Sequence, residues 1–235
     1  MRLFTAGTIG CVIVGAALLL GGPARAGTAA GRYPAMAPLE QYQMPAEAEI
    51  ALARSAAPRS ISDGAAVMVL TSKGYQPVVD GGNGFVCLVV RSWFGGPDSD
   101  EFWNPRLRAP NCFNAASAQS VVRNYVEKTR WVLAGASRVE ISARTKEALA
   151  SRRFVPPAPG AMTYMMSKDQ ITSDADGHWH PHLMFFVANS PPKAWGANLP
   201  GTNVYGDQID PDAFTIYLVP VGTWSDGEAD VSRGH

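Results

Sequence analysis

Two hydrophobic periodicities run along this chain, and the order in which they occur limits the folds open to it. Runs rich in β-branched and aromatic residues come first: AVMVLTS at 66–72, YQPVV at 75–79 and FVCLVVRSW at 85–93. A helical block then occupies 115–152. After PPAPG at 156–160, the β-rich runs AMTYMM (161–166), HLMFFVA (182–188) and AFTIYLVPV (213–221) follow. Strand and helix patterns are segregated rather than alternating. That order predicts an α+β fold with a largely antiparallel sheet, not a sheet wound from βαβ units.

Local signals place the helices. PAEAEIALARSAAP at 45–58 predicts a short N-terminal helix, opened by Pro45, acidic in its first turn and closed by Pro58. A central helix pair follows. In 115–135, Val121, Val122, Tyr125, Thr129, Val132 and Leu133 fall near one face, and Gly135 marks a C-terminus. Ser137 and Glu140 have capping-box spacing, so the second helix runs from there to about Arg152. Its Arg144, Lys146, Arg152 and Arg153 are interleaved with Glu140 and Glu147 and read as a solvated face.

The three early β runs read as a meander, with the glycine-rich DGGNG (80–84) as a hairpin turn. DGGNG lacks the GxxxxGK[ST] pattern and precedes a strand, which excludes a phosphate loop. From Phe94 to Asn114 the sequence is irregular, with Gly95, Gly96, Pro97, Pro105 and Pro110. A loop this long is functional or pinned down. Its Phe94, Phe102, Trp103 and Phe113 read as a satellite core beneath the loop. Residues 45–224 form the expected single domain, between a surface leader at 27–44 and a polar tail at 225–235 expected to fray.

The N-terminus bears on compartment. Arg2, the apolar run Ile9–Leu20 and the small-x-small Ala24-Arg25-Ala26 fit a signal peptide of residues 1–26, predicting a periplasmic or secreted protein. The run is short for a membrane span, which needs about 20 apolar residues. Cys11 lies inside the run, ahead of where a lipidated cysteine belongs. Cleavage removes Arg2 and Arg25 and no acid, leaving 18 basic against 20 acidic side chains. No basic field exists for nucleic acid or anionic membrane. A further long apolar run is absent, so no stable membrane span is expected after cleavage. The two remaining cysteines, Cys87 and Cys112, are expected to pair in an oxidising compartment; their spacing is not CxxC, which argues against a thioredoxin-like role.

Several catalytic signatures are missing: GxSxG, HExxH, CxxCH and a P-loop. Ser190-Pro-Pro-Lys193 matches SxxK only formally, because two prolines spoil the helix that would align the pair. The segment 172–183 places Asp174, Asp176 and Gly177 in calcium-loop register, but its first position is Thr172 and its twelfth is Leu183, which argues against an EF-hand.

Three of the four histidines fall at alternate positions in DGHWHPHLMFF, 176–186. In an extended segment His178, His180, His182, Met184 and Phe186 share one face. Pro181 implies an edge, a bulge or a strand beginning just after it. His178 and His182 would lie about 13 Å apart on a straight strand, too far to meet one ion without a bend. The candidate metal ligands are therefore His180 and His182 first, with His178 and Met184 beside them and Asp174 and Asp176 as oxygen donors. Copper or zinc is the cofactor these donors suit. Core packing by the methionines and hydrogen bonding by the histidines is the structural alternative.

NGFVCLVVRSW, EFWNPRLRAPNCFN and GHWHPHLMFF together resemble a group of exported bacterial proteins with no established activity. The resemblance implies export and one compact domain, and carries over no catalytic residue. The function expected is transition-metal or small-ligand binding at the histidine-rich strand mouth. The alternatives are a hydrolase using the histidine cluster, and a structural or interaction domain whose aromatic loop meets a protein partner. Oligomeric state is not encoded in any of these signals.

Overall fold

A computed structural model describes residues 32–175 and 179–231. The expected signal peptide, His178, Asp176 and His235 lie outside the described residues. The fold is α+β, built on one eight-stranded, mostly antiparallel sheet. In chain order its elements are α1 (Ala46–Arg54), α2 (Arg59–Ser62), β1 (Ala66–Thr71), β2 (Gly74–Val79), β3 (Val86–Val90) and β4 (Ala109–Phe113). Then come α3 (Ala115–Ser117), a π-helical turn (Ala118–Val122) and α4 (Arg123–Leu133), which run as one helix, and α5 (Arg138–Ala150). The last four strands are β5 (Met162–Met165), β6 (His182–Ala188), β7 (Tyr205–Ile209) and β8 (Phe214–Pro220).

Most helix boundaries follow their local signals, but Pro58 does not close the first helix: α1 ends at Arg54, and Pro58 is the N-cap of α2. Pro45 occupies the N-cap of α1. The Asn114 side chain caps α3 by accepting from the Ser117 N–H. Gly135 takes φ +83° after α4, and Ser137 and Glu140 form the full capping box of α5. The helices cover both faces of the sheet. Ala53, Ala56 and Ala57 pack on Val67, Cys87, Val89 and Cys112. On the opposite face, Val122, Tyr125, Val132 and Ile141 close over Leu88, Phe113, Met184 and Phe186 in the main core.

The sheet order, β2-β1-β3-β4-β5-β6-β8-β7, corrects the expected meander. β1 and β2 form a hairpin, but β3 returns beside β1 on its other edge, parallel to it. DGGNG is therefore a crossing, not a hairpin turn. A Cβ on Gly81 would run into the Ala66 backbone nitrogen and sit 2.6 Å from the Ala65 carbonyl carbon. Only glycine lets the chain pass so close.

The irregular segment 94–114 also hides a strand. β4 pairs antiparallel with β3 from Phe113 to Ala109, with Pro110 opposite Val89. Proline is tolerated there because the β5 ladder reaches only Cys112 and Phe113. β7, whose sequence YGDQI is polar, was not legible as a strand and forms the sheet edge beyond β8. The aromatics of the loop are core residues, but of the main core instead of a separate satellite: Phe102, Trp103 and Phe113 are buried in it, and Phe94 packs partly buried against it.

Cys87 and Cys112 are directly opposite on β3 and β4, with Cα atoms 4.0 Å apart, and are disulfide-bonded. Among the described residues, no helix is long and apolar enough to cross a membrane.

Both ends of the expected domain extend further than the sequence suggested. Tyr42 of the leader is buried, and its hydroxyl donates to the Trp103 carbonyl at 2.8 Å. In the tail, Thr223 bridges to Ala229, Lys168 pairs with Asp226 and Glu228, and Asp230 is buried. The stretch therefore folds back on the domain through Asp230 instead of fraying.

Candidate functional site

Strand β6 begins at His182, immediately after Pro181, one of the placements expected for that proline. Its pairing to β5 and β8 fixes which side each residue faces. His182 lies opposite Met165 and Pro220, and Met184 opposite Thr163 and Leu218. His182, Met184 and Phe186 are all buried. Met184 belongs to the main core, packed with its aromatic neighbours, which is the ordinary use of a flexible thioether.

His180 precedes the strand and has a different environment. Its Nδ1 lies 2.7 Å from Asp230 Oδ2; the ring is 29% exposed and the carboxylate fully buried. A carboxylate oxygen accepts, so Nδ1 donates and the proton sits there. His182 turns its own Nδ1 to the His180 carbonyl at 2.6 Å. The Trp179 indole packs against both imidazoles, with centroids 5.7 Å from His180 and 4.8 Å from His182. Tyr205, partly exposed on the edge strand, meets the same indole at 5.3 Å. Gln170, buried behind, donates Nε2 to the Trp179 carbonyl at 2.6 Å, holding the segment in place.

Asp174 is not the open oxygen donor the sequence proposed. Its side chain is nearly buried and both oxygens are engaged: Oδ2 by Arg32 and Tyr33, Oδ1 by Asn104 and Arg106. The hydrogen bond from Tyr33, with further help from Asn104 and the two arginines, holds its carboxyl below the usual range. Asp174 works as a clamp joining the leader to the aromatic loop. Among the described residues there is no group of three or more His, Cys, Asp or Glu side chains able to hold a metal ion.

The structure thus separates the four sequence candidates. His180 gains a carboxylate partner, His182 and Met184 enter the core, and His178 lies outside the described residues. Asp230, Trp179 and Tyr205 were missed as site residues. Asp230 had no local signal, since it lies 50 residues from His180 in a polar stretch.

Burial gives His182 a measurable consequence. Removal from water pushes its pKa from 6.5 down to about 4, with the neighbouring His180 adding to the effect and the bond to its carbonyl opposing it. In the unfolded chain the ring takes up a proton near pH 6.5. In the fold it stays neutral down to about pH 4. The unfolded state therefore binds more protons between these values, and stability falls as pH drops through that window. The expected loss is roughly 3 kcal/mol, complete by about pH 4. Urea denaturation from pH 7 to pH 4 in parent and His182→Gln measures it. A parent curve parallel to that of the variant would show that burial of His182 contributes nothing to acid sensitivity.

No protein-family model, curated protein or solved structure matches this chain.

Proposed function

We propose that the protein is an exported binding protein whose strand mouth takes a small polar ligand, with His180 as hydrogen-bonding anchor and Trp179 and Tyr205 as an aromatic wall. The observation that carries this reading is the 2.7 Å bond between a partly exposed imidazole and a fully buried carboxylate. Burying a carboxylate costs free energy. Here it fixes the plane and tautomer of a ring that still reaches the surface. A neutral imidazole bonded through Nδ1–H keeps Nε2 as its acceptor nitrogen. The ligand class that fits carries an O–H or N–H donor beside a flat apolar face, as sugars, phenols and aromatic amines do.

The copper or zinc form of this reading has less support, because closed metal sites use three or four protein ligands and the described residues assemble no such group. The same pair supports one second reading, a hydrolase in which Asp230 orients His180 as general base. Export rests on the apolar N-terminal run and is consistent with the Cys87–Cys112 disulfide.

Thermal-shift titration of the purified protein with monosaccharides, phenols, aromatic amines, Cu²⁺ and Zn²⁺ tests the reading. A ligand from the first three classes should raise the melting temperature of the parent. Asp230→Asn should weaken it by about tenfold or more, the effect of losing one charge-assisted hydrogen bond, and His180→Ala should abolish it. Binding that survives both substitutions unchanged would remove the strand mouth as the site. Aryl-ester hydrolysis abolished by Asp230→Asn would select the enzyme reading instead.

A further inference from the structure

The sequence groups Arg153 with a solvated basic face, but the chain turns before it. Arg152 adopts φ +61° after α5, and the Phe154 N–H returns to the Ala148 carbonyl at 2.9 Å. Phe154 then stacks on Trp131 with centroids 5.3 Å apart, and the Arg153 guanidinium lies 5.5 Å from the same indole. This brings Arg153 to the rim of a groove of about 520 Å³ between the long helix and the first strands.

The groove has an apolar floor and a cationic rim. Met68 and Val86 of the sheet, Val122 and Val126 of the helix, and Phe154 line it. Arg123, Arg130, Arg153 and Glu127 surround it. Arg130 is paired with Glu127 at 2.9 Å, so the remaining rim charge is that of Arg123 and Arg153. Arg123 is exposed and has no hydrogen-bond or ion-pair partner among the described residues. In a chain with equal numbers of acids and bases, such a local excess is not a reflection of overall charge. The helix is also irregular here: its π turn spans Ala118–Val122, and both terminal residues of that turn line the groove. Single π turns concentrate at functional sites.

We propose that this groove binds an amphipathic carboxylate, a medium-chain fatty acid or an aryl-substituted acid. The apolar part lies on Met68, Val86, Val126 and Phe154, where its burial drives association. The carboxylate sits between Arg123 and Arg153, whose planar guanidinium groups match its two oxygens. The groove volume falls in the range of small-molecule sites, which run from about 300 to 1,000 Å³. Neither half of such a ligand suffices alone: a short anion leaves the floor wet, and an uncharged chain leaves the arginines unpaired.

Calorimetric titration of the purified full chain with dodecanoate, below its micelle concentration, tests this against 1-dodecanol and acetate. Dodecanoate should bind about tenfold or more tighter than either control. The Arg123→Ala, Arg153→Ala double variant should weaken dodecanoate by a similar factor of about ten and leave dodecanol within about twofold. Val126→Trp, which fills the groove with both arginines intact, should weaken dodecanoate as much. These positions are exposed or half-buried, and thermal melts of each variant verify the fold. No dodecanoate binding by the parent, equal affinity for dodecanol, or affinity unchanged in the double variant would each overturn the assignment.

Discussion

Replacing Arg91 with methionine should destabilise the protein by about 3–5 kcal/mol, the cost of stranding one member of a buried ion pair. Arg91 is fully buried and its guanidinium joins three segments of the fold. Nε donates to the Tyr42 carbonyl at 2.7 Å, Nη2 to Glu49 Oε1 at 2.9 Å, and Nη1 to the Val89 carbonyl. The backbone N–H of Arg91 adds a bond to the Tyr125 hydroxyl at 2.8 Å. The leader, α1 and the end of β3 are thereby held at one point. Glu49 is equally buried; its Oε1 also accepts from the Leu70 N–H at 3.1 Å, while Oε2 has no hydrogen-bond partner among the described residues.

Burial raises the Glu49 pKa despite the opposing pull of Arg91. A buried ion pair commonly gains little over apolar side chains of similar volume, and this one joins α1 to the end of β3. The double variant Glu49→Leu, Arg91→Met should accordingly recover much of the loss, to within roughly 2 kcal/mol of the parent. Urea denaturation at pH 7 gives all three values. Limited proteolysis should show earlier cleavage in residues 32–58 of Arg91→Met alone. An Arg91→Met protein within about 1 kcal/mol of the parent would refute the clamp.

The second large effect is expected at the disulfide. Replacing Cys87 and Cys112 with alanine should cost about 3.5 kcal/mol on the loop-entropy estimate for a 25-residue separation. For a domain of this size that lowers the melting temperature by roughly 10 °C. Both cysteines are fully buried beneath Ala53 and Ala57 of the α1 layer. Reduction should therefore require opening of that layer, so thiol alkylation after mild reductant should remain near zero until denaturant is added. Intact-mass analysis reads both results. Two thiols alkylated in denaturant without reductant, in protein taken from an oxidising compartment, would disprove the bond.

The α+β class, the cysteine pairing and the boundaries of α4 and α5 were legible in the sequence because their signals are local or few in number, whereas Pro58 opens α2 instead of closing α1. A capping box such as Ser137–Glu140 acts over three residues, an amphipathic stripe over a few turns, and two cysteines, once Cys11 of the apolar N-terminal run is set aside, allow one pairing. The start of β6 after Pro181 is legible for the same reason: a missing N–H acts where it stands. Strand order is of another kind. The return of β3 beside β1 goes with a close approach of Gly81 to Ala65 and Ala66, a contact no local periodicity encodes. Pro110 is acceptable in β4 only because the neighbouring ladder stops short of it.

The candidate site divides the same way. Alternation placed His182 and Met184 on one face, and the sheet decided that this face is the core. His180, partly exposed just ahead of the strand, is met by Asp230, 50 residues away, from a stretch whose composition reads as a solvated tail. Local pattern and composition specify most helices and strands, β4 and β7 excepted, and name the residues that carry chemistry. Which of those residues meet is settled by the closed fold, because the free energy of a long-range contact depends on burial and partners that exist only once the chain has folded.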